Sequence, residues 1–100
     1  MADFKRISTI EAKALIDTGT ASIVDVRDAQ SFNNGHIEGA LLLDNNSVDS
    51  FISSTAKDTP VIVYCYHGNS SQNAGQFLAE QGFTEVYSVD GGFELWRTQF

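Results

Sequence analysis

The sequence predicts an α/β fold in which helices cover both faces of one mostly parallel sheet. Short apolar runs alternate along the chain with segments of helical periodicity, and helix-capping and turn residues separate them. This alternation favours crossover connections between parallel strands. The chain has 100 residues, which fit a single domain spanning residues 1–100. Ligands of such folds bind at the carboxyl ends of the strands.

A helix is predicted near the start of the chain. Ser8 followed by Glu11 is a capping-box pattern, in which each side chain bonds to the backbone N–H of the other residue. Ile10, Ala14 and Leu15 then give this helix an apolar stripe. We therefore expect these three side chains to face the core.

The next segment predicts two strands and two helices. Residues 21–26 and 40–43 are apolar runs typical of buried strands. Asp28 is placed to cap a short helix over residues 29–34, and Ser47 to cap another helix after the second run. Both capping side chains are expected to accept a hydrogen bond from the first turn.

The remaining elements follow the same alternation. Residues 61–64 form the strongest strand pattern, residues 71–81 the clearest helix, and residues 86–89 a further strand. Phe93 and Trp96 share one face of a final helix and are expected to support the core.

Composition restricts the classes of function. Hydrophobic residues make up 42% and charged residues 19%, as in ordinary globular proteins. The net charge of −7 argues against nucleic acid or an anionic membrane as a partner. A single cysteine forms no internal disulfide, and no signal core is evident, so we expect a cytoplasmic protein. No long exposed apolar stripe is evident. The oligomeric state is left open, and a monomer is compatible with the sequence.

The single cysteine, Cys65, has the most informative position. It follows the strand at residues 61–64 and precedes the polar loop 66–71, which leads into a helix. Backbone N–H groups and the positive end of a helix can converge on a sulfur placed there and favour its thiolate. A lone cysteine after an apolar strand is more often an inert small hydrophobe. The polar, glycine-containing loop favours the nucleophile.

Spacing argues against three other cysteine chemistries. Cysteine phosphatases need an arginine shortly after the nucleophile to hold the phosphate dianion, and residues 66–71 contain no arginine or lysine. No CxxC pair occurs, which excludes a dithiol redox cycle within the chain. Cys65, His36 and His67 are too few and too scattered to predict a zinc site.

Four motifs in register resemble one family. Residues 65–71 read CYHGNSS, residues 24–27 read VDVR, residues 32–40 read FNNGHIEGA, and residues 91–96 read GGFELW. Together they are similar to the active-site loop and flanking signatures of the rhodaneses, the thiosulfate sulfurtransferases. The resemblance implies a rhodanese-like fold with a central, mostly parallel five-stranded sheet.

The resemblance also implies a reaction and a site. Thiosulfate would be the sulfur donor, Cys65 would carry the sulfur as a persulfide, and cyanide or a thiol, including that of thioredoxin, would accept it. No cofactor and no metal are implied. The alternative is a sulfur-relay module that takes persulfide from a protein partner. Backbone N–H groups of the loop would hold the anionic sulfur, and these belong to Tyr66, His67, Gly68, Asn69 and Ser70.

Three charged or titratable side chains are further candidates. Asp25 and Arg27 are more readily explained as a buried ion pair that supports the neighbouring loops than as catalytic groups, because buried charges persist mainly when paired. The side chain of His67 either meets the substrate at the rim or points to solvent.

Overall fold

The computed structural model describes residues 3–100. One five-stranded sheet runs through the described chain, and every pairing between its neighbouring strands is parallel. The predicted α/β fold with a mostly parallel sheet is therefore confirmed. The first two residues of the predicted domain 1–100 lie outside the described residues. The strands are β1 (Lys5–Ile7), β2 (Ser22–Asp25), β3 (Leu41–Leu42), β4 (Val61–Tyr64) and β5 (Val86–Val89), in the spatial order β1-β5-β4-β2-β3.

Helices follow the strands and cover both faces of the sheet. One apolar cluster packs two of the helices against one face, and a second cluster packs two others against the opposite face. None of the helices within residues 3–100 has the length and apolar character needed to cross a bilayer. The helices are α1 (Thr9–Asp17), α2 (Ala29–Asn34), α3 (Val48–Ser54), α4 (Ser70–Glu80) and α5 (Gly92–Gln99).

The alternation of side chains along the central strand assigns each residue to a face. Val61 and Val63 join the cluster under α3 and α4, whereas Ile62 and Tyr64 join the cluster under α1 and α5. Because successive side chains of a strand point to opposite faces, Cys65 continues the row of Val61 and Val63. The cysteine therefore lies on the α4 side of the sheet.

The first helix confirms its predicted cap, but of its predicted stripe only Leu15 packs against the core, and Ile10 and Ala14 are exposed. Ser8 and Glu11 form the capping box, with the Ser8 side chain accepting from the Glu11 N–H. Ile10 is 65% exposed, and the residues that α1 buries are Thr9 and Ala12. Thr9 is accommodated in the interior because its hydroxyl hydrogen-bonds to the Gln99 side chain, which ties α1 to α5.

The cap predicted at Ser47 is wrong. This residue stands at the N-cap position of α3, but its side chain makes no capping hydrogen bond. Its hydroxyl instead donates to the carbonyl of Leu42 and accepts from the N–H of Asp44, which closes the turn after β3. Asp28 does cap α2, since its carboxylate accepts from the Ser31 N–H at 2.8 Å.

Candidate active site

Cys65 lies immediately after β4, at the carboxyl end of the central strand. Cys65 is buried, with 3% of its surface exposed. The chain then turns through a short loop and enters α4 at Ser70. The sulfur therefore sits where the strand ends and the helix begins, as the sequence predicts.

The sulfur accepts hydrogen bonds from the beginning of α4. The N–H groups of Gly68 and Ser71 lie 3.2 and 3.3 Å from Cys65 Sγ, and the Ser71 hydroxyl oxygen lies 3.5 Å from it. Asn69, at the N-cap position, makes no side-chain cap. The cysteine sulfur takes over this capping role, because it satisfies an N–H that the helix leaves without an intrahelical acceptor.

These contacts set the ionisation of the thiol. Burial raises the pKa of Cys65, because it disfavours the charged form. The Ser71 hydroxyl and the amides of Ser71, Gly68 and His67 act in the opposite direction and outweigh burial, so the pKa lies below its ordinary value. No cationic side chain within residues 3–100 hydrogen-bonds to the sulfur. Neutral dipoles alone therefore favour the thiolate.

Glycine at position 68 gives the loop its shape. Gly68 has φ +97°, a conformation that side chains resist, and its N–H points at the sulfur. A Cβ atom there would lie 3.0 Å from the Val89 carbonyl oxygen and 3.1 Å from the Gly91 nitrogen. The loop is thus held closely against the turn that follows β5.

The start of α5 fixes the opposite side of the loop. The N–H groups of Phe93 and Glu94 donate to the carbonyls of Cys65 and Tyr66, at 2.8 and 3.1 Å. A Cβ atom on Gly92 would lie 2.5 Å from the Tyr66 carbonyl, so only glycine allows this approach. Because these carbonyls face α5, the loop amides are free to face the sulfur.

Tyr66 forms one wall of the rim. Its hydroxyl hydrogen-bonds to the Asp28 carboxylate and lies 2.6 Å from the Ser31 hydroxyl, which joins the loop to α2. The Tyr66 bond, followed by that of the Ser31 N–H, lowers the pKa of Asp28 to about 2. Below this rim, the Arg27 guanidinium lies 4.3 Å from the centre of the Phe93 ring. An open groove of about 270 Å³ runs between α2, the loop and α5.

Asp25 and Arg27 form a buried ion pair at the end of β2. Two Arg27 nitrogens contact the carboxylate, the shortest distance being 2.7 Å, and the side chains are 0% and 3% exposed. Arg27 also donates to the Gly35 carbonyl at 2.7 Å, which holds the turn after α2. Burial lowers the pKa of Arg27, but its bonds to Asp25 raise it by more.

The glycine-histidine-isoleucine segment after α2 is held by contacts with β4 and with α2 itself. The Ile37 N–H donates to the Tyr64 hydroxyl at 3.1 Å. His36 stacks on the Phe32 ring, with 3.9 Å between ring centres, and its Nδ1 lies 2.8 Å from the Phe32 carbonyl. A carbonyl oxygen only accepts, so Nδ1 carries the proton. The His36 side chain therefore holds the end of α2 through its contacts with Phe32.

The structure brings part of the predicted site to the sulfur and adds a serine, whereas Asp25 and Arg27 form a separate ion pair. Of the predicted amide donors, Gly68 bonds to Sγ directly and the amide of His67 contributes to the lowered pKa. The roles predicted for Tyr66, Asn69 and Ser70 in holding a persulfide stay predictions. Ser71 was not predicted, although a hydroxyl at the first turn after a cysteine loop is the signal that could have identified it.

Comparisons with known proteins agree with the geometry. A family model described as "Rhodanese-like domain" matches residues 8–99. The chain is 58% identical over 100 residues to the "Thiosulfate sulfurtransferase GlpE" of Ectopseudomonas mendocina (strain ymp), covering all of this chain and 91% of that protein. It is also 58% identical over 97 residues to the protein of the same name from Stutzerimonas stutzeri (strain A1501), covering 97% and 88%.

Solved structures share the fold. A rhodanese-like domain protein from Staphylococcus aureus superposes with a TM-score of 0.79 at 28% identity, covering 93% of this chain and 91% of that one. A human single-domain sulfurtransferase, TSTD1, superposes with a TM-score of 0.83 at 20% identity, covering 95% and 96%, and supports the fold alone. From the family match, the identity across the whole chain and the shared fold, it follows that this chain belongs to the rhodanese-like family.

Proposed function

We propose that the protein is a thiosulfate sulfurtransferase, an enzyme that moves the outer sulfur of thiosulfate to an acceptor through a persulfide on Cys65. The observation that carries the proposal is the buried sulfur, which accepts hydrogen bonds from the backbone N–H groups of Gly68 and Ser71 and lies 3.5 Å from the Ser71 hydroxyl oxygen. It is supported by the 58% identity, over the full chain, to a thiosulfate sulfurtransferase.

The first step is a displacement at sulfur. The Cys65 thiolate attacks the outer sulfur of thiosulfate, a bond forms between the two sulfurs, and sulfite leaves with the electron pair of the broken S–S bond. Sulfite needs no proton to leave, so the site requires no general acid. The amides of Gly68 and Ser71 then face the new negative charge on the persulfide, as donors aligned before the reaction.

The second step regenerates the thiolate. Cyanide or the thiolate of an acceptor attacks the terminal sulfur, takes it as thiocyanate or as a new persulfide, and Cys65 leaves with the electron pair. The enzyme therefore alternates between two forms, which predicts ping-pong kinetics. The same amides and the Ser71 hydroxyl stabilise the departing thiolate.

The surroundings of the site bear on donor, acceptor and compartment. No cationic side chain of residues 3–100 hydrogen-bonds to the sulfur, and the chain has a net charge of −7, so an anionic donor gains nothing from long-range attraction. A single catalytic cysteine must stay reduced to react, which fits a reducing compartment, and on that ground we propose the cytoplasm. Residues 1–100 are proposed to act as one rhodanese domain. Cyanide, glutathione, dihydrolipoate and thioredoxin are acceptors to be compared.

Intact mass after thiosulfate treatment tests the proposal. The wild-type protein is expected to gain one sulfur atom, which cyanide or dithiothreitol removes. Cys65→Ser keeps the shape of the side chain but removes the sulfur, and it is expected to gain nothing and to show no turnover. A wild-type protein that stays unmodified, or a Cys65→Ser variant that gains the sulfur, would contradict the assignment.

A further inference from the structure

Two buried hydroxyl groups lie behind the cysteine. Ser71 and Ser88 are both 0% exposed, and their oxygens are 2.8 Å apart. The Ser71 oxygen in turn lies 3.5 Å from Cys65 Sγ. Buried hydroxyls are normally hydrogen-bonded, and here the three groups form one continuous chain of contacts that ends at the sulfur.

The register of the sheet explains how Ser88 reaches this position. Ser88 lies on β5 directly beside Val63 of β4. Val63 and Val86 belong to the apolar cluster under α4, and side chains two residues apart in a strand share a face. Ser88 therefore points to the same face as Cys65 and meets the first turn of α4. It is a polar side chain at a position where its neighbours are apolar.

The two hydroxyls have different numbers of acceptors for their protons in the thiol and in the anionic state of the sulfur. In the thiol state, S–H donates to Ser71, Ser71 donates to Ser88, and the Ser88 proton finds no acceptor among the side-chain hydrogen bonds of residues 3–100. In the anionic state the direction reverses, so that Ser88 donates to Ser71 and Ser71 donates to the sulfur. Every hydroxyl proton then has an acceptor. A buried donor without an acceptor is costly, which favours the anion.

We propose that Ser88 is a positioning residue for the sulfur chemistry: its buried hydroxyl directs the Ser71 hydroxyl to donate to Cys65 Sγ whenever the sulfur is anionic. The thiol proton leaves to solvent, and the two hydroxyls only rotate, with no O–H bond broken. The inference deepens the proposed function and rests on it, because the anionic sulfur is the reactive form in both displacements. Ser88 reaches the sulfur through the Ser71 hydroxyl, with which its own hydroxyl is hydrogen-bonded.

Charged groups give the sulfur no competing contact. Within residues 3–100, none of the ionisable side chains on the neighbouring elements hydrogen-bonds to Sγ. Removing the hydroxyl of Ser71 or Ser88 should therefore be visible in the titration of Cys65. The neighbouring ionisable groups are Asp25 and Arg27 at β2, Tyr64 on β4, Tyr66 and His67 in the loop, Asp90 after β5, and Glu94 and Arg97 on α5.

The test is the rate of alkylation by iodoacetamide as a function of pH, which requires neither donor nor acceptor. Ser88→Ala is expected to move the midpoint to higher pH and to slow alkylation about 3- to 10-fold below the midpoint, the weight of one neutral hydrogen bond. Ser71→Ala is expected to have a larger effect. In a Ser71→Ala background, Ser88→Ala is expected to add no further shift, because its route to the sulfur is gone.

Matched variants distinguish the effect of the Ser88 hydroxyl from the effect of side-chain volume. Ser88→Thr and Ser88→Val have nearly the same volume, and only the first is expected to keep the wild-type midpoint. This pair also serves if Ser88→Ala does not fold. Thr9→Val removes another buried hydroxyl, which bonds to Gln99, and is expected to lower stability without moving the midpoint.

Three results would overturn the inference. They are an unchanged midpoint in Ser88→Ala, equal shifts from Ser88→Ala with and without Ser71, and equal midpoints in the threonine and valine variants. Each is independent of the proposed function, since a protein that forms no persulfide with thiosulfate can still show the shifted titration.

Discussion

Two anionic groups lie at the carboxyl ends of neighbouring strands, and the protein stabilises them in different ways. Asp25 ends β2 and pairs in register with Tyr64, the residue before Cys65. The Asp25 carboxylate is held by the Arg27 guanidinium, and the Cys65 sulfur by two amides and a hydroxyl. Because strand residues alternate, the two groups lie on opposite faces of the same sheet.

The difference matches what each group is for. A bidentate ion pair is strong and directional, and it holds the Asp25 carboxylate in one position. A sulfur that must attack, carry an atom and leave again needs its charge stabilised without losing its nucleophilicity, which falls as a thiol's pKa falls. Neutral dipoles stabilise charge more moderately than a cation does. On this ground we propose that the cation-paired group is structural and that the dipole-held group is the reactive one.

The largest effect on stability should come from breaking the ion pair. Arg27→Met leaves the buried Asp25 carboxylate without its cation and with only the backbone N–H of residue 27, which we expect to cost about 3–5 kcal/mol of the free energy of unfolding. Urea denaturation measures this loss. The pH midpoint of Cys65 alkylation should stay unchanged, because the hydrogen bonds of the Arg27 side chain go to Asp25 and Gly35.

An exposed ion pair provides the control for that experiment. Lys13 and Asp17 pair at 2.8 Å on the surface of α1, and Lys13→Met should cost less than about 0.5 kcal/mol. Similar losses from Arg27→Met and Lys13→Met would contradict the role given to the buried pair. A moved Cys65 midpoint in Arg27→Met would show that the two faces are electrostatically coupled.

A smaller effect on stability, with a large one on activity, is expected at the loop glycine. Gly68→Ala forces a side chain into a positive φ, at about 1–2 kcal/mol, and brings it 3.0 Å from the Val89 carbonyl. The loop must shift, and the Gly68 N–H then leaves the sulfur. Losing one hydrogen bond to an anion should reduce kcat/KM about 10- to 100-fold.

Gly19 offers a matched comparison, since it also has a positive φ, +79°, but has no atom within 4 Å of the Cβ position. Gly19→Ala should show the conformational cost in thermal unfolding and leave kcat/KM at the wild-type value. Equal losses of kcat/KM in the two variants would mean that the loop geometry has no special part in catalysis.

Much of the fold follows from local sequence signals. The strands at residues 61–64 and 86–89 and the helix at 29–34 have the predicted bounds, because continuous apolar runs and caps mark them. β1 has no such signal: its residues, Lys5–Ile7, are mostly exposed at the edge of the sheet, and only pairing with β5 makes them a strand. The Thr9 side of α1 likewise depends on a distant partner, Gln99.

The site divides in the same way. The position of Cys65 between strand and helix, and the need for Gly68, are visible in the loop sequence. The burial of Ser71 against Ser88 is not, because the two residues are distant in sequence and meet only when α4 packs on β5. A serine within an apolar strand pattern carries no local sign of the group that it contacts.

Titration of the Cys65 thiol in the folded protein shows whether neutral dipoles hold its thiolate. Thiolate absorbance or iodoacetamide alkylation across pH, in the wild type and in His67→Ala, measures it. A midpoint below that of a free thiol is expected in both proteins, since we propose that His67 acts on the sulfur through its backbone N–H. A wild-type midpoint at the value of a free thiol, or a normal midpoint restored by His67→Ala, would contradict it.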